Sequence, residues 1–283
     1  MQSLRSGLSS PMPFAVAPEP LSDREFAQIQ QLLRRLAGIH LSAGKKALVC
    51  SRLCARLRTL GISRYCDYFE RLCSGSDHEE LQTAVDLLTT NKTSFFREPR
   101  HFDFLRERLA QQRRPGTPLR VWSAACSSGE EAYSAAMTLA DAIGTQPWEV
   151  VASDISMRML ARARSGIYPL ERARTIPPAY LRAYCLKGVR AQAGSFQICP
   201  ALRARVRFQQ VNLHTPLPKM GPFDLVLLRN VMIYFEPQTK REVVHRVAQT
   251  LRSDGHLLVG HSESLNGIGV NLQPVSVSIY RKP

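Results

Sequence analysis

The sequence predicts an α/β protein in which a parallel sheet wound with helices follows an all-helical N-terminal segment. Three observations carry this. From Pro118 onward, short apolar runs such as Trp148–Ala152 and Phe223–Leu228 alternate with helical segments, the pattern of strands buried on both faces of a parallel sheet. From about residue 22 to 112 the chain reads as helix throughout. Between about 165 and 205 the alternation breaks into a basic stretch with turn signals, read as a small inserted subdomain.

The elements follow in order. The first twenty residues hold four prolines and little pattern, so 1–20 is expected to be a loose tail. Ser22 and Glu25 form a capping-box pattern, with Phe26, Ile29, Leu32, Leu33 and Leu36 behind it at helical spacing. The second helix, about Ala43–Leu60, carries Lys45, Lys46, Arg52, Arg56 and Arg58 and no acid. Arg52 and Arg56 share a face. With no counter-charge on the helix, that face reads as a docking surface, against the alternative of a solvated one. Ser63–Cys73 and Asp77–Thr90 complete the helical part.

A strand is expected at Leu119–Cys126, a turn at Ser127–Gly129 and an alanine-rich helix at Glu130–Ile143. A second strand, Trp148–Ala152, ends in Ser153-Asp154, and Ile155–Arg164 is helical. Residues 161–208 hold ten Lys/Arg and one acid, Glu171. Pro177-Pro178 and the segment Gly188–Gly194 suggest turns there, and Phe196–Ile198 and the residues near Tyr184 suggest short strands. Val206–Val211 and Phe223–Leu228 are further strands, Pro237–Leu251 is a helix, and His256–Gly260 and Val275–Tyr280 close the sheet. Domain limits of 21–112 and 113–283 follow, with the insertion at 166–205.

Composition narrows the class. With 44% apolar residues in 283, the chain is an ordinary globular one with ample core. No run approaches the roughly 18 apolar residues of a membrane span, and no secretion signal is expected. Seven cysteines form no CxxC pair and no disulfide framework. Cys50 and Cys54 lack nearby histidines, so packing is preferred to zinc and no metal set is expected. A reducing cytoplasm fits this usage. The net charge of +15 points to an acidic partner, whether nucleic acid, an acidic protein surface or an anionic membrane.

The chemistry lies at strand ends. Four successive strands end in polar residues, among them Asp154, Asn212, and Arg229 with Asn230, at the sheet edge where open α/β folds bind ligands. The turn before the first helix keeps only Gly129 and lacks the dinucleotide GxGxxG. Glu130 and Glu131 stand where pyrophosphate would sit; carboxylates there repel phosphate but suit an amine. Their other reading is stabilisation of the helix dipole. Asp154, about twenty residues beyond Gly129, suits ribose hydroxyls. A phosphate-free nucleoside with an amino-acid end fits best, which is S-adenosyl-L-methionine.

Several segments also resemble one family. Asn91-Lys92-Thr93-Ser94-Phe95-Phe96-Arg97-Glu98, the stretch Val121–Ser134, Ala152-Ser153-Asp154-Ile155, the stretch Arg229–Phe235, and Gly260-His261-Ser262-Glu263-Ser264 are similar in order to motifs of the CheR chemotaxis receptor methyltransferases. The resemblance covers about residue 22 to the C-terminus. It implies a Rossmann-like methyltransferase domain behind a helical domain, with a small inserted β-subdomain. It implies methyl transfer from S-adenosyl-L-methionine to glutamate side chains of chemoreceptor cytoplasmic helices, leaving S-adenosyl-L-homocysteine. Carried over by motif, Asn91, Thr93, Arg97, Glu131, Asp154, Asn212, Leu213, Arg229 and Asn230 contact the cofactor, with Arg97 and Tyr234 near the transferred methyl. The resemblance further implies that the helical domain, with Arg52, Arg56 and Arg58, recognises the acidic receptor bundle. Family members that grip a receptor tether peptide carry a glycine-rich loop in the β-subdomain; only the separated Gly188 and Gly194 stand here, which leaves tether binding open.

The chemistry needs no catalytic dyad. A glutamate, with a reference pKa near 4.3, is already ionised at neutral pH. It must be stripped of water and aligned with the methyl. An arginine such as Arg97 or Arg229 can orient it by charge-assisted hydrogen bonds. Gly260–Ser264 approximates a G-x-S-x-G nucleophile elbow but lacks its last glycine. Two rival functions remain: a nucleic-acid methyltransferase, motivated by charge, and a non-catalytic adaptor that binds S-adenosyl-L-methionine. Steep salt dependence of nucleic-acid binding marks the first.

Overall fold

A computed structural model of the chain describes residues 18–111, 117–144 and 146–283. The expected tail at 1–20 therefore lies, as far as residue 17, outside the described residues. Five helices come first: α1 (Asp23–Ala37), α2 (Lys46–Leu60), α3 (Tyr65–Cys73), α4 (His78–Leu88) and α5 (Arg100–Gln111). Two compact units result. One holds the residues up to Ile29 with Ser42–Leu88; the other holds Gln30–Leu41 with Thr89–Pro283.

In the first unit, the Ser22 hydroxyl accepts from the Glu25 amide (3.2 Å) while Glu25 Oε2 accepts from the Ser22 amide (2.9 Å). This reciprocal cap starts α1 where the sequence predicts it. Val49, Leu53 and Leu57 line one stripe of α2 and are buried, as are Tyr65, Tyr68 and Leu72 of α3 and Ala84, Val85 and Leu88 of α4. Helix α2 stops at Gly61, whose φ of 67° is the left-handed conformation that glycine takes freely.

The second unit is built on a seven-stranded sheet. Its strands are β1 (Leu119–Ser123), β2 (Trp148–Asp154), β6 (Val206–Gln210), β7 (Phe223–Leu228), β8 (Leu251–Val259), β9 (Gln273–Ser276) and β10 (Ile279–Arg281). The order is β6-β2-β1-β7-β8-β10-β9, parallel from β6 to β8, with β10 antiparallel to β8 and to β9. Helices α6 (Glu130–Ile143), α7 (Met157–Ser165) and α10 (Pro237–Gln249) are the connections. Successive strand residues enter opposite cores: Val121, Val150 and Leu225 one, Trp122, Val151 and Val226 the other. Both faces are covered, which is why these strands read as unbroken apolar runs.

The insertion holds β3 (Ile167–Pro169), α8 (Pro178–Tyr184), β4 (Cys185–Lys187), β5 (Ser195–Ile198) and α9 (Pro200–Arg203). Its three strands form a small antiparallel sheet, β3-β5-β4. Phe196 of β5 packs on Tyr168 of the neighbouring β3, with ring centroids 5.6 Å apart, and both rings meet Phe95, at 5.8 and 5.0 Å, which seats the small sheet. Arg172, Arg174, Arg182, Lys187 and Arg190 are exposed on it.

Several local readings differ from the structure. Residues 89–99, expected within the helical stretch of about 22 to 112, carry no helix between α4 and α5. Val275–Tyr280, expected as one strand, is a hairpin whose turn places Ser278 at φ 62°. No glycine marks that turn, so the pattern alone runs through it. Helix α5, expected with the N-terminal helices, belongs to the second unit, where it packs on α6. All seven cysteines are free thiols. Among the described residues, no helix is long and apolar enough to cross a membrane.

Candidate active site

Parallel pairing puts the carboxyl ends of β6, β2, β1 and β7 on one edge of the second unit. The register is level: Asp154 faces Gln210, and Ser123 faces Ala152 and Leu227. Strand β1 is paired to β2 on one side and β7 on the other, the switch point where α/β sheets open a crevice.

The turn after β1 is shaped for close approach. Gly129 has φ 96°, and a Cβ there would stand 2.8 Å from the Ala163 Cβ and 3.0 Å from the Tyr168 hydroxyl. Only glycine fits. Asp154, which is buried, accepts from the Ser127 amide at 2.8 Å and from the Ser156 amide at 2.9 Å. It thereby braces this turn against the loop that opens α7. The Val211 amide donates to the Asp154 carbonyl (3.2 Å), which sets Asn212 beside it. The Asn212 side chain is committed at both ends: Nδ2 donates to the Leu36 carbonyl (2.6 Å), and Oδ1 accepts from the His214 amide (3.0 Å). Leu213 is buried in the core.

Arg229 is the charged centre. Its side chain is fully buried between two carboxylates, with Nη1 donating to Glu131 Oε2 (2.9 Å) and Nη2 to Glu98 Oε2 (3.0 Å). Nη2 also donates to the Arg97 carbonyl, and Glu131 Oε1 accepts from the Ser123 hydroxyl at 2.7 Å. Burial pushes the Glu131 carboxyl up, against the pull of Arg229. Burial also raises Glu98, but there the charge and hydrogen bond of Arg229 prevail and hold the carboxyl below its usual range. Glu130, buried, accepts from Arg172 (3.0 Å) and from the Ser128 hydroxyl (2.7 Å). Burial raises its carboxyl as well.

The loop from Asn91 to Glu98 is tied down at four points. The Ser127 hydroxyl donates to the Asn91 carbonyl (3.1 Å), Arg172 donates to the Thr93 carbonyl (3.0 Å), the Phe96 amide donates to the Ser134 hydroxyl (3.0 Å), and Arg229 holds the Arg97 carbonyl. The Asn91 amide group turns to the Thr89 hydroxyl (3.2 Å). The Arg97 side chain is exposed and donates to the Lys92 carbonyl at 3.3 Å.

Asn230 has φ 56° and donates through Nδ2 to Glu98 (3.3 Å). Glu263 fixes this corner by accepting from the amides of Asn230 (2.8 Å), Met232 (2.8 Å) and Gly260 (2.7 Å). Tyr234 is half-buried on the 3-10 turn that follows, its carbonyl accepting from the His40 amide at 2.8 Å. The Gly260–Ser264 segment is thus a backbone clamp rather than a nucleophile elbow. Glu98 and Glu263 were not singled out from the sequence as functional. Their only signal was membership of the FFRE and GHSES segments.

Asn91, Thr93, Arg97, Glu131, Asp154, Asn212, Leu213, Arg229, Asn230 and Tyr234 therefore belong to one connected edge of the second unit. Arg52, Arg56 and Arg58 lie in the first. There Arg56 is ion-paired to the buried Glu80, which also accepts from the Tyr68 hydroxyl (2.6 Å), and Arg52 donates to the Leu88 carbonyl (3.0 Å). The counter-charge missing from α2 is supplied by α4. Arg58 alone of the three is exposed.

A cavity of about 530 Å³ lined by Pro216, Lys219, Met220, Pro222, Arg246 and Thr250 contains none of these residues.

Comparison with known proteins identifies relatives along most of the chain. The family described as "CheR methyltransferase, SAM binding domain" matches residues 91–280, and "CheR methyltransferase, all-alpha domain" matches residues 24–89. A chemotaxis protein methyltransferase of Salmonella typhimurium is 42% identical over 269 residues, covering 94% of this chain and 92% of that one. Its counterpart in Escherichia coli is 43% identical over 87% of this chain and 86% of its own. Chemotaxis protein methyltransferase 2 of Pseudomonas aeruginosa is 40% identical over 90% and 92%.

Proposed function

The chain belongs to the CheR methyltransferase family, and from that premise we propose that it methylates glutamate side chains on the cytoplasmic helices of chemoreceptors. S-adenosyl-L-methionine is the cofactor. The observation that carries the reading is the buried cation Arg229, held between Glu131 and Glu98 at the switch point of the sheet. The crevice residues fit the cofactor. Gly129 lets the turn after β1 pack tightly on Ala163 and Tyr168, and the two glutamates opening α6 disfavour phosphate while suiting an α-amino group. In this reading Asp154 takes the ribose hydroxyls, and Asn212, Leu213, Asn91, Thr93 and Asn230 contact the cofactor around it. When bound, S-adenosyl-L-methionine supplies an electrophilic methyl group on a positive sulfur.

The rest belongs to the chain. A substrate glutamate arrives ionised, so no residue has to remove a proton. Arg97, exposed above the crevice, orients that carboxylate, and Tyr234 lies on the turn after Asn230, close enough in sequence to flank it. A tight arginine clamp would dull the nucleophile, which favours a mobile side chain such as Arg97 over the buried Arg229. Labelled methyl transfer to receptor cytoplasmic fragments tests the whole reading. Base-labile label on glutamyl positions supports it; base-stable label, or label confined to nucleic acid, overturns it.

Two variants refine the roles. Since the Arg97 backbone is pinned by Arg229 and its side chain is exposed, Arg97→Ala is expected to lower kcat by about tenfold or more while cofactor affinity stays within about threefold. Equal losses in both would leave Arg97 a binding residue only. On α2, Arg58→Glu is expected to raise the KM for receptor several-fold without moving Tm. Arg56→Glu is expected to lower Tm, because it sets a second carboxylate against buried Glu80. An unchanged KM for Arg58→Glu removes this residue from receptor docking.

A further inference from the structure

His101, in the first turn of α5, is an anomaly in the second unit. It is 1% exposed, yet neither ring nitrogen has a hydrogen-bond partner among the described residues. Leaving a buried polar group unpaired is costly. Its Nδ1 lies 3.5 Å from Glu98 Oε2, and the half-exposed His261, on the turn after β8, brings Nε2 to 3.9 Å from the same oxygen. The two imidazoles meet edge to face with centroids 5.2 Å apart. One donor atom from each residue lies within 4.8 Å of the other two.

We propose that Glu98, His101 and His261 form a binding site for a transition-metal dication of the zinc or cobalt class. Two imidazole nitrogens and one carboxylate oxygen, with a fourth position open to solvent, is an established donor set for such ions. Magnesium and calcium, which take oxygen ligands, are disfavoured. Bond lengths near 2.0–2.2 Å in a tetrahedron set donor separations of about 3.3–3.5 Å. The Glu98–His101 pair already meets this, and a small swing of the exposed His261 ring closes the remaining gap. Glu98 shares the needed oxygen with Arg229, which keeps Glu131 as counter-charge when Glu98 turns to a metal.

The test uses the full chain with cobalt(II) alone. Equilibrium dialysis is expected to find one ion per chain, with visible absorption of four-coordinate cobalt. His261→Ala, at an exposed position, and His101→Gln are each expected to weaken binding at least about tenfold and to abolish that absorption. Binding that survives in both variants, or no binding by the wild type, overturns the site. In the transfer assay the ion is expected to slow the wild type more than His261→Ala, because it competes with Arg229 for Glu98. That clause rests on the function proposed above, whereas the absorption does not, so the two fail separately; equal slowing overturns the competition.

Discussion

Arg229→Ala is expected to cost about 3–5 kcal/mol of folding stability and to abolish methyl transfer. The side chain is fully buried, and its removal leaves Glu131 and Glu98 facing each other across a low-dielectric gap without their cation. Part of the penalty is relieved by proton uptake, since burial already pushes Glu131 up and Glu98 would follow once Arg229 is gone. The Arg97 carbonyl also loses its donor, so the loop over the crevice loses one of its four ties. Denaturant unfolding of the variant, fitted for its midpoint, measures the stability term. Calorimetry with S-adenosyl-L-methionine measures the binding term. A double variant, Arg229→Met with Glu98→Gln, removes one charge with its partner and is expected to recover part of the stability but none of the transfer. A midpoint for Arg229→Ala within about 0.5 kcal/mol of wild type would show the ion-pair centre to be marginal.

The fold was legible wherever burial imposes a period. Strands β2 and β7 are apolar on both faces because α helices cover both, and their sequences show it. The Ser22–Glu25 cap was legible because both partners lie within one turn. Legibility ended where a partner is remote. Helix α5 is recognisable as a helix, but nothing in its own pattern says that it packs on α6 rather than on α4. Arg56 looked unpaired because its acid, Glu80, sits on another helix. Glu263 works on amides at Asn230 and Met232, far upstream, so its segment invited a catalytic reading that the clamp replaces. Glu98 carries no signal of its role in the sequence, because the chain turns there through φ 58° and drives the carboxylate onto the remote Arg229. What the sequence could show of the site was its strand ends, because register makes them converge whatever the loops do.

Asp154→Ala is expected to weaken S-adenosyl-L-methionine binding by more than about tenfold, at least ~1.4 kcal/mol. Two effects combine, and they can be separated. The carboxylate accepts from the Ser127 and Ser156 amides in a buried setting, so alanine strands two donors at about 1–3 kcal/mol each. Ser127, held at φ 49°, then has less to keep it there, and the close-approach turn before Gly129 loosens. The second effect is the lost acceptor for the ribose hydroxyls. Asp154→Asn keeps one acceptor oxygen and the shape of the side chain but loses the negative charge. Stability is therefore expected to return in part with asparagine while affinity stays low, because the hydroxyls donate more strongly to an anion than to an amide. If affinity instead tracks stability across both variants, Asp154 serves the turn alone. Unchanged affinity in Asp154→Ala would dismiss it from the crevice altogether, and with it the reading of the β2 end as the nucleoside position.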